Sequence, residues 1–319
     1  MRLVFSLLLT IAIASAAEEK VVRPGVPGVQ VKLTELKPVK TFDLGGSPDW
    51  MALTEDTLWI SNARLHKVQR VDPTKNVVAG EVSFDGAPCS GLATGFGSLW
   101  VPVCKKGGGS LARVDLKTGK VTATLPFPPA ESEGGITTSQ HSVWMVTDKD
   151  GTLLQIDPET NQVRNKISVP AGSYNPLFAD GAVWVTGNAS SELTVVDPKS
   201  AKVTAKIAVG KNPRFLTYGE GSVWTLNQGD GSLTRVDTKT RKISATIAAG
   251  IPGPGGEICV GAGAVWATVF DIPLTKVDVG TNKVTKQWTG PGGDSVRYGF
   301  GSLWLVDLRK GLLWRYQVD

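Results

Sequence analysis

The chain has 319 residues, 41% hydrophobic content, 37 glycines, 19 prolines and a net charge of +5. That much apolar material supports a packed core, and so many turn-forming residues exclude a mostly helical protein. The mild basic excess is spread over the chain, so charge alone gives no nucleic-acid footprint.

The first element is a processing segment. Arg2, the apolar run Leu3–Ile13 and the small residues Ala14-Ser15-Ala16 have the order of a secretory signal, read as residues 1–16. The run is too short to span a bilayer. The mature chain is therefore expected in the periplasm or outside the cell, without an integral membrane segment. Residues 17–34 carry Pro24 and Pro27 among glycines and read as a flexible lead-in. From residue 35 to 319 the chain reads as one unit.

A tryptophan repeat organises that unit. Trp59, Trp100, Trp144, Trp184, Trp224, Trp266 and Trp304 are spaced by 41, 44, 40, 40, 42 and 38 residues. A period of ~40 with strand-like content predicts a β-propeller with one four-stranded blade per repeat. Blade five shows the unit: Arg214–Tyr218 as strand a, Ser222–Leu226 as b, Ser232–Asp237 as c and Lys242–Ile247 as d. Each Trp is expected in the core of its blade. Strand c ends on Asp72, Asp115, Asp157, Asp197, Asp237 and Asp278. An Asp there bonds the following backbone and opens a turn, so it reads as a cap and not as a metal ligand.

The seventh copy stops after strand c, and Pro38–Asp43 looks like an orphan strand d. The fold expected is thus all-β: a seven-bladed propeller of antiparallel blades, closed by an N-terminal strand pairing with the last blade.

In such a ring the d–a and b–c loops share one face around the central channel. These loops are the longer and more varied ones, which is where sites sit on rigid scaffolds. The candidate ligand-binding residues are Asp49, Trp50, Glu133, Tyr174, Asn175, Arg214, Asn227, Glu257, Asp294 and Arg297. Among the acids, only Glu133 and Glu257 are placed where strand a opens onto the channel. An oxygen-rich mouth suits Mg²⁺ or Ca²⁺, with Glu133, Asn175, Asn227 and Glu257 as candidate ligands. It also suits a hydrogen-bonding pocket for a small polar molecule or a peptide. The chain has two histidines; His66 falls on the channel face and His141 on the opposite one, so no His pair is available and His66 is the one weak candidate base. Of three cysteines, Cys89 and Cys104 flank the a–b turn of blade two. They read either as a bridge, which export would permit, or as two small buried hydrophobes.

The elements Gly221-Ser222-Val223-Trp224 and Leu233-Thr234-Arg235-Val236-Asp237-Thr238-Lys239-Thr240-Arg241-Lys242-Ile243 resemble bacterial YVTN-type β-propeller repeats. The resemblance spans about residues 35–319. It implies the fold and, for some members, a binding role. The chain is also similar to the streptogramin (virginiamycin B) lyase group, seven-bladed proteins that use Mg²⁺ with His and Glu in the mouth. Without a channel-facing His pair, that similarity carries over the fold and not the activity.

The leading expectation is an exported, monomeric propeller that binds a ligand or protein partner on its loop-rich face without catalysis. The alternative is an Mg- or Ca-dependent lyase or lactonase-like hydrolase. A third reading is single-stranded nucleic-acid binding by Arg64, Lys105, Lys106 and Arg309, where the interleaved aromatics that such binding needs are sparse.

Overall fold

The structure, a computed structural model, describes residues 23–318. The signal reading over residues 1–16 lies outside them. The chain forms seven antiparallel sheets in a ring. Strand a of every blade touches strand a of both neighbours, from blade one round to blade seven and back to blade one, so these strands line the central channel. The a strands are Pro48–Leu53, Ala93–Gly95, Ile136–Thr138, Ser173–Ala179, Pro213–Gly219, Ile258–Gly261 and Val296–Gly299.

Closure follows the expected pairing. Lys40–Asp43 is the outer strand of blade seven, with Thr41 opposite Trp314 and Phe42 opposite Leu313. The lead-in departs from expectation. Gln30–Lys32 pairs in parallel with strand d of blade six (Lys283–Thr289), and a 3₁₀ turn at Leu33–Glu35 buries Leu33. Backbone bonds from Gly25 N to Gly250 O and from Gln287 N to Val29 O hold the segment before it. Unsatisfied edge groups on blade six drive this attachment. The segment is a strap over that edge and not a loose leader.

Each repeated tryptophan is at most 1% exposed. Five of them donate the indole N–H to the carbonyl five residues earlier, as in Trp224 to Gly219 O at 3.2 Å and Trp304 to Gly299 O at 3.0 Å. That carbonyl is presented by a tight a–b turn with two positive φ angles, for example 52° at Glu220 and 62° at Gly221. The turn matches strand twist, and the glycine at its second position makes it accessible.

A cation from strand c covers the ring. Arg113, Arg235 and Arg315 lie 4.7–4.9 Å above Trp100, Trp224 and Trp304. The same guanidiniums bond the serine at the start of strand b and then cross to the c–d turn of the next blade. Arg235 donates to Ser222 Oγ, Val279 O and Asn282 Oδ1 at 2.8–3.0 Å; Arg315 donates to Ser302 Oγ, Pro73 O and Asn76 Oδ1. Blade-to-blade contact therefore combines apolar burial with a repeated polar clamp.

The c–d turns are capped as expected. Asp115, Asp237 and Asp278 each accept the backbone N–H and hydroxyl of the Thr three residues on, at 2.7–2.8 Å. In blade two the strand that should pair along Ser98–Lys105 is broken. Ala93–Gly95 holds one register and Ala87–Pro88 another, shifted by two residues. Cys89 and Cys104 are consequently diagonal neighbours, and they form a disulfide with a Cα–Cα distance of 5.8 Å.

Candidate active site in the channel mouth

The mouth is built where each strand a begins. Its first residues come from four blades: Asp49 (one), Glu133 (three), Glu257 (six), and Asp294 on the approach to strand a of blade seven. Sequence reasoning assigned all four to the loop-rich face but put only the two glutamates where strand a opens onto the channel. The structure brings all four carboxyls within electrostatic reach of one another. Burial pushes Asp49 well above the usual carboxylate range, and repulsion from Asp294, Glu133 and Glu257 adds to it. Glu133 is raised to about 7, first by burial and then by Asp294 and Glu257. Burial also raises Asp294, against the pull of the Gly256 N–H on its carboxylate at 2.7 Å. The cause is common to all: several carboxyls share a poorly solvated opening, so the neutral form is favoured.

Glu257 is the best anchored of the four and is 4% exposed. One oxygen pairs with Arg297, and the other accepts from the Ser295 hydroxyl and from Val296 N. Thr268 Oγ1, from strand b of the same blade, accepts the Glu257 backbone N–H at 2.7 Å and donates to the Asp294 carbonyl. Burial still raises the Glu257 carboxyl, opposed by Arg297 and Ser295. Ser295 and Thr268 escaped the sequence reading. For Thr268, the signal available was a hydroxyl inside an otherwise apolar strand, Ala267-Thr268-Val269.

A second group crosses blades three to five. Arg214 forms an ion pair with Glu131 and lies 4.9 Å over the Tyr174 ring. Asn175 donates its amide to Glu133 O at 3.1 Å and to Arg214 O at 2.8 Å. Its amide group thus ties three adjacent blades together and sets the backbone that carries Glu133. Gly135 sits so close to it that a Cβ there would lie 2.5 Å from Asn175 Oδ1.

Trp50 is not a surface stacking platform. It is 5% exposed and meets Phe215 edge-on at 5.7 Å. Blades one and five are not neighbours, so this pair meets across the channel and floors the mouth. Asn227 is fully buried between strands b and c of blade five, bonded to Thr225, Ser232 and Thr234. Its side-chain amide is engaged inside the blade by these bonds. His66 is exposed in the Ala63–His66 turn of blade one, with φ of 53° and no bond to the mouth carboxyls. Among the described residues, no three His, Cys, Asp or Glu side chains stand in an arrangement that would hold a metal ion.

The sequence model of glutamine cyclotransferase matches residues 52–252, more than half of the chain. The chain belongs to the glutamine cyclotransferase family. The match takes in Glu131, Glu133, Tyr174, Asn175 and Arg214, while Asp49, Glu257, Asp294 and Arg297 lie outside it. No curated protein matches this family member significantly. Among solved structures, a streptogramin B lyase superposes with a TM-score of 0.72 at 16% identity, covering 88% of this chain and 97% of that one. BamB from Moraxella catarrhalis superposes with a TM-score of 0.63 at 11% identity, covering 89% of this chain and 100% of that one. Identities this low support the shared propeller fold and nothing finer. No helix among the described residues is long and apolar enough to cross a membrane.

Proposed function

We propose that the mouth binds a ligand through a primary amine and that Glu133 moves a proton on it, in the cyclisation for which the family is named. The observation that carries this reading is the convergence of Asp49, Glu133, Glu257 and Asp294 with Arg297 as the paired cation of the cluster. An opening so rich in carboxyls attracts an ammonium group and repels anions. It also favours the neutral carboxyl form, which suits proton transfer near pH 7.

On an N-terminal glutamine the chemistry balances without a co-reactant. The α-amine nitrogen attacks the side-chain amide carbon. The Glu133 carboxylate takes the proton from that nitrogen and returns it to the departing NH₂. A C–N bond forms, a C–N bond breaks, and ammonia leaves. A carboxyl raised to about 7 is divided between its two forms at neutral pH, as both half-steps require. Asn175 and the Arg214–Glu131 pair position the Glu133 backbone. Glu257, fixed by Arg297 and Ser295, is suited to holding the ammonium before it deprotonates. The disulfide between Cys89 and Cys104 supports work in an oxidising compartment.

The test is calorimetry together with ammonia release on a short glutamine-initiated peptide, its N-acetylated form and an alanine-initiated control. Binding of both free-amine peptides, weak binding of the acetylated one, and ammonia from the glutamine peptide alone are expected. Glu133→Gln should keep binding and lose at least ~100-fold in ammonia release. Equal affinity for the acetylated peptide would end the amine reading.

A further inference from the structure

Four blades carry an arginine at the clamp position of strand c, and in one of them, blade one, it makes no clamp to the next blade, on the face opposite the mouth. Arg70 occupies the strand c position of Arg113, Arg235 and Arg315 and lies 5.4 Å from the Trp59 ring. Yet its buried Nε has no hydrogen-bond partner, nor does the indole Nε1 of Trp59, a residue 1% exposed. In sister blades each of these atoms is bonded.

Three sequence differences account for it. Thr57 replaces the serine that receives Nε elsewhere, and its hydroxyl is turned to Asp56 at 2.9 Å. The a–b turn Glu55-Asp56 lacks the positive φ pair found in five other blades. Thr54 therefore gives no acceptor to the indole, and its own hydroxyl goes to Asp56 and Thr57 O. Gly119 then stands in the c–d turn of blade two, where Asn76, Asn161 and Asn282 receive the arginine in the other clamped interfaces. Leu116 and Lys117 of that turn line a groove of about 860 Å³ together with Trp59 and Arg70.

Two buried, unpartnered donors on residues that line an open groove cost stability unless an acceptor reaches them. We propose that this groove is a carboxylate-binding site, in which the Arg70 guanidinium and the Trp59 indole N–H donate to one carboxylate and Lys117 faces it from the rim. A guanidinium with free N–H groups takes a carboxylate in a two-bond fork. Glu55 and Asp56, which also line the groove, select against polyanions, so a ligand with a single carboxylate fits. That carboxylate belongs either to a free small acid or to a peptide C-terminus. The site lies on the turn face and is independent of the amine reading of the mouth.

The decisive experiment follows the Trp59 indole N–H by proton–nitrogen NMR on the full chain, assigned through Trp59→Phe. The probes are propionate, acetyl-trialanine with a free C-terminus, and the same peptide as its C-terminal amide. A downfield move with the carboxylate probes and none with the amide is expected. Propionate matching the peptide points to a free acid, and a response to the peptide alone points to a C-terminus.

Gly119→Asn should raise the melting temperature and abolish the response. Its φ of +66° is one that Asn76, Asn161 and Asn282 already adopt, and a Cβ there would lie 3.9 Å from Arg70 Nη1. Arg70→Met should weaken the response at least ~10-fold. If no carboxylate probe moves the Trp59 resonance while Gly119→Asn still stabilises the fold, the groove is an unfilled clamp and the proposal is overturned. An unchanged response in Arg70→Met, or an equal one with the amide, would overturn it as well.

Discussion

The two faces of this ring treat the same functional group in opposite ways. On the turn face, Asp72, Asp115, Asp157, Asp197, Asp237 and Asp278 are solvated, and backbone N–H groups or neighbouring hydroxyls hold their carboxyls below the usual range. In the mouth, burial pushes Asp49, Glu133, Glu257 and Asp294 above it, and repulsion between carboxyls adds to the rise of Asp49, Glu133 and Asp294. A repeated carboxylate with donors around it is there to end a strand. A carboxylate with other carboxylates around it costs stability, which marks the mouth as the candidate site. Site and scaffold are thus distinguished by environment and not by residue type.

The largest effect should come from removing what both faces stand on. Trp224→Ala takes a fully buried ring out of blade five and should cost about 3–5 kcal/mol, read by denaturant unfolding. If the loss were under ~1 kcal/mol, the tryptophan layer would not be the frame that keeps the faces distinct.

Next, Arg297→Met leaves Glu257 buried beside three other carboxyls. A destabilisation of about 3 kcal/mol at pH 8 is expected. It should shrink at pH 5, where Glu257 can take up a proton, and should largely vanish in Arg297→Met/Glu257→Gln. A pH-independent loss would indicate that Arg297 acts through packing alone.

The pH dependence then separates the faces by sign. Glu133 is raised from 4.5 to about 7, so the folded state holds its proton more tightly than the unfolded one. Its contribution is complete below pH ~4.5 and is lost as the pH rises through about 7. Glu133→Gln should therefore flatten the fall in melting temperature across that window and stabilise the protein most at the alkaline end. The turn aspartates have the reverse sign. Asp237→Ala should give the smallest effect, a slight loss of melting temperature that is present at neutral pH and disappears as the pH drops below the ordinary carboxylate range.

The ring, its seven tryptophans, the turn caps and the closing strand were all legible because each is a local pattern repeated in register. Arg70 shows the limit of that legibility: it follows the pattern, and its partners do not. The mouth was legible as a set of loops and candidate residues, without the contacts between them. Asp49 and Asp294 are ordinary acids in glycine-rich segments, and only the ring brings them to Glu133 and Glu257. How deeply Trp50 and Asn227 are buried was hidden for a related reason. The pleat at the start of strand a turns Trp50 into the channel, and the hydroxyls of Ser232 and Thr234 draw Asn227 inward. The strap at Gln30–Lys32 was hidden because its proline- and glycine-rich approach looks like a linker, while what fixes it is the open edge of blade six.

The clasp between Lys40–Asp43 and Leu312–Tyr316 joins the earliest strand of the ring to the latest. On a chain made from its N-terminus, the early strand must wait through six blades of synthesis with Phe42 uncovered, until Leu312–Tyr316 has been made. Pairings so distant in sequence are slow to form. The order of synthesis therefore leaves a hydrophobic strand in need of protection while six blades are made, and makes the arrival of Leu312–Tyr316 the event that commits the ring to its folded state.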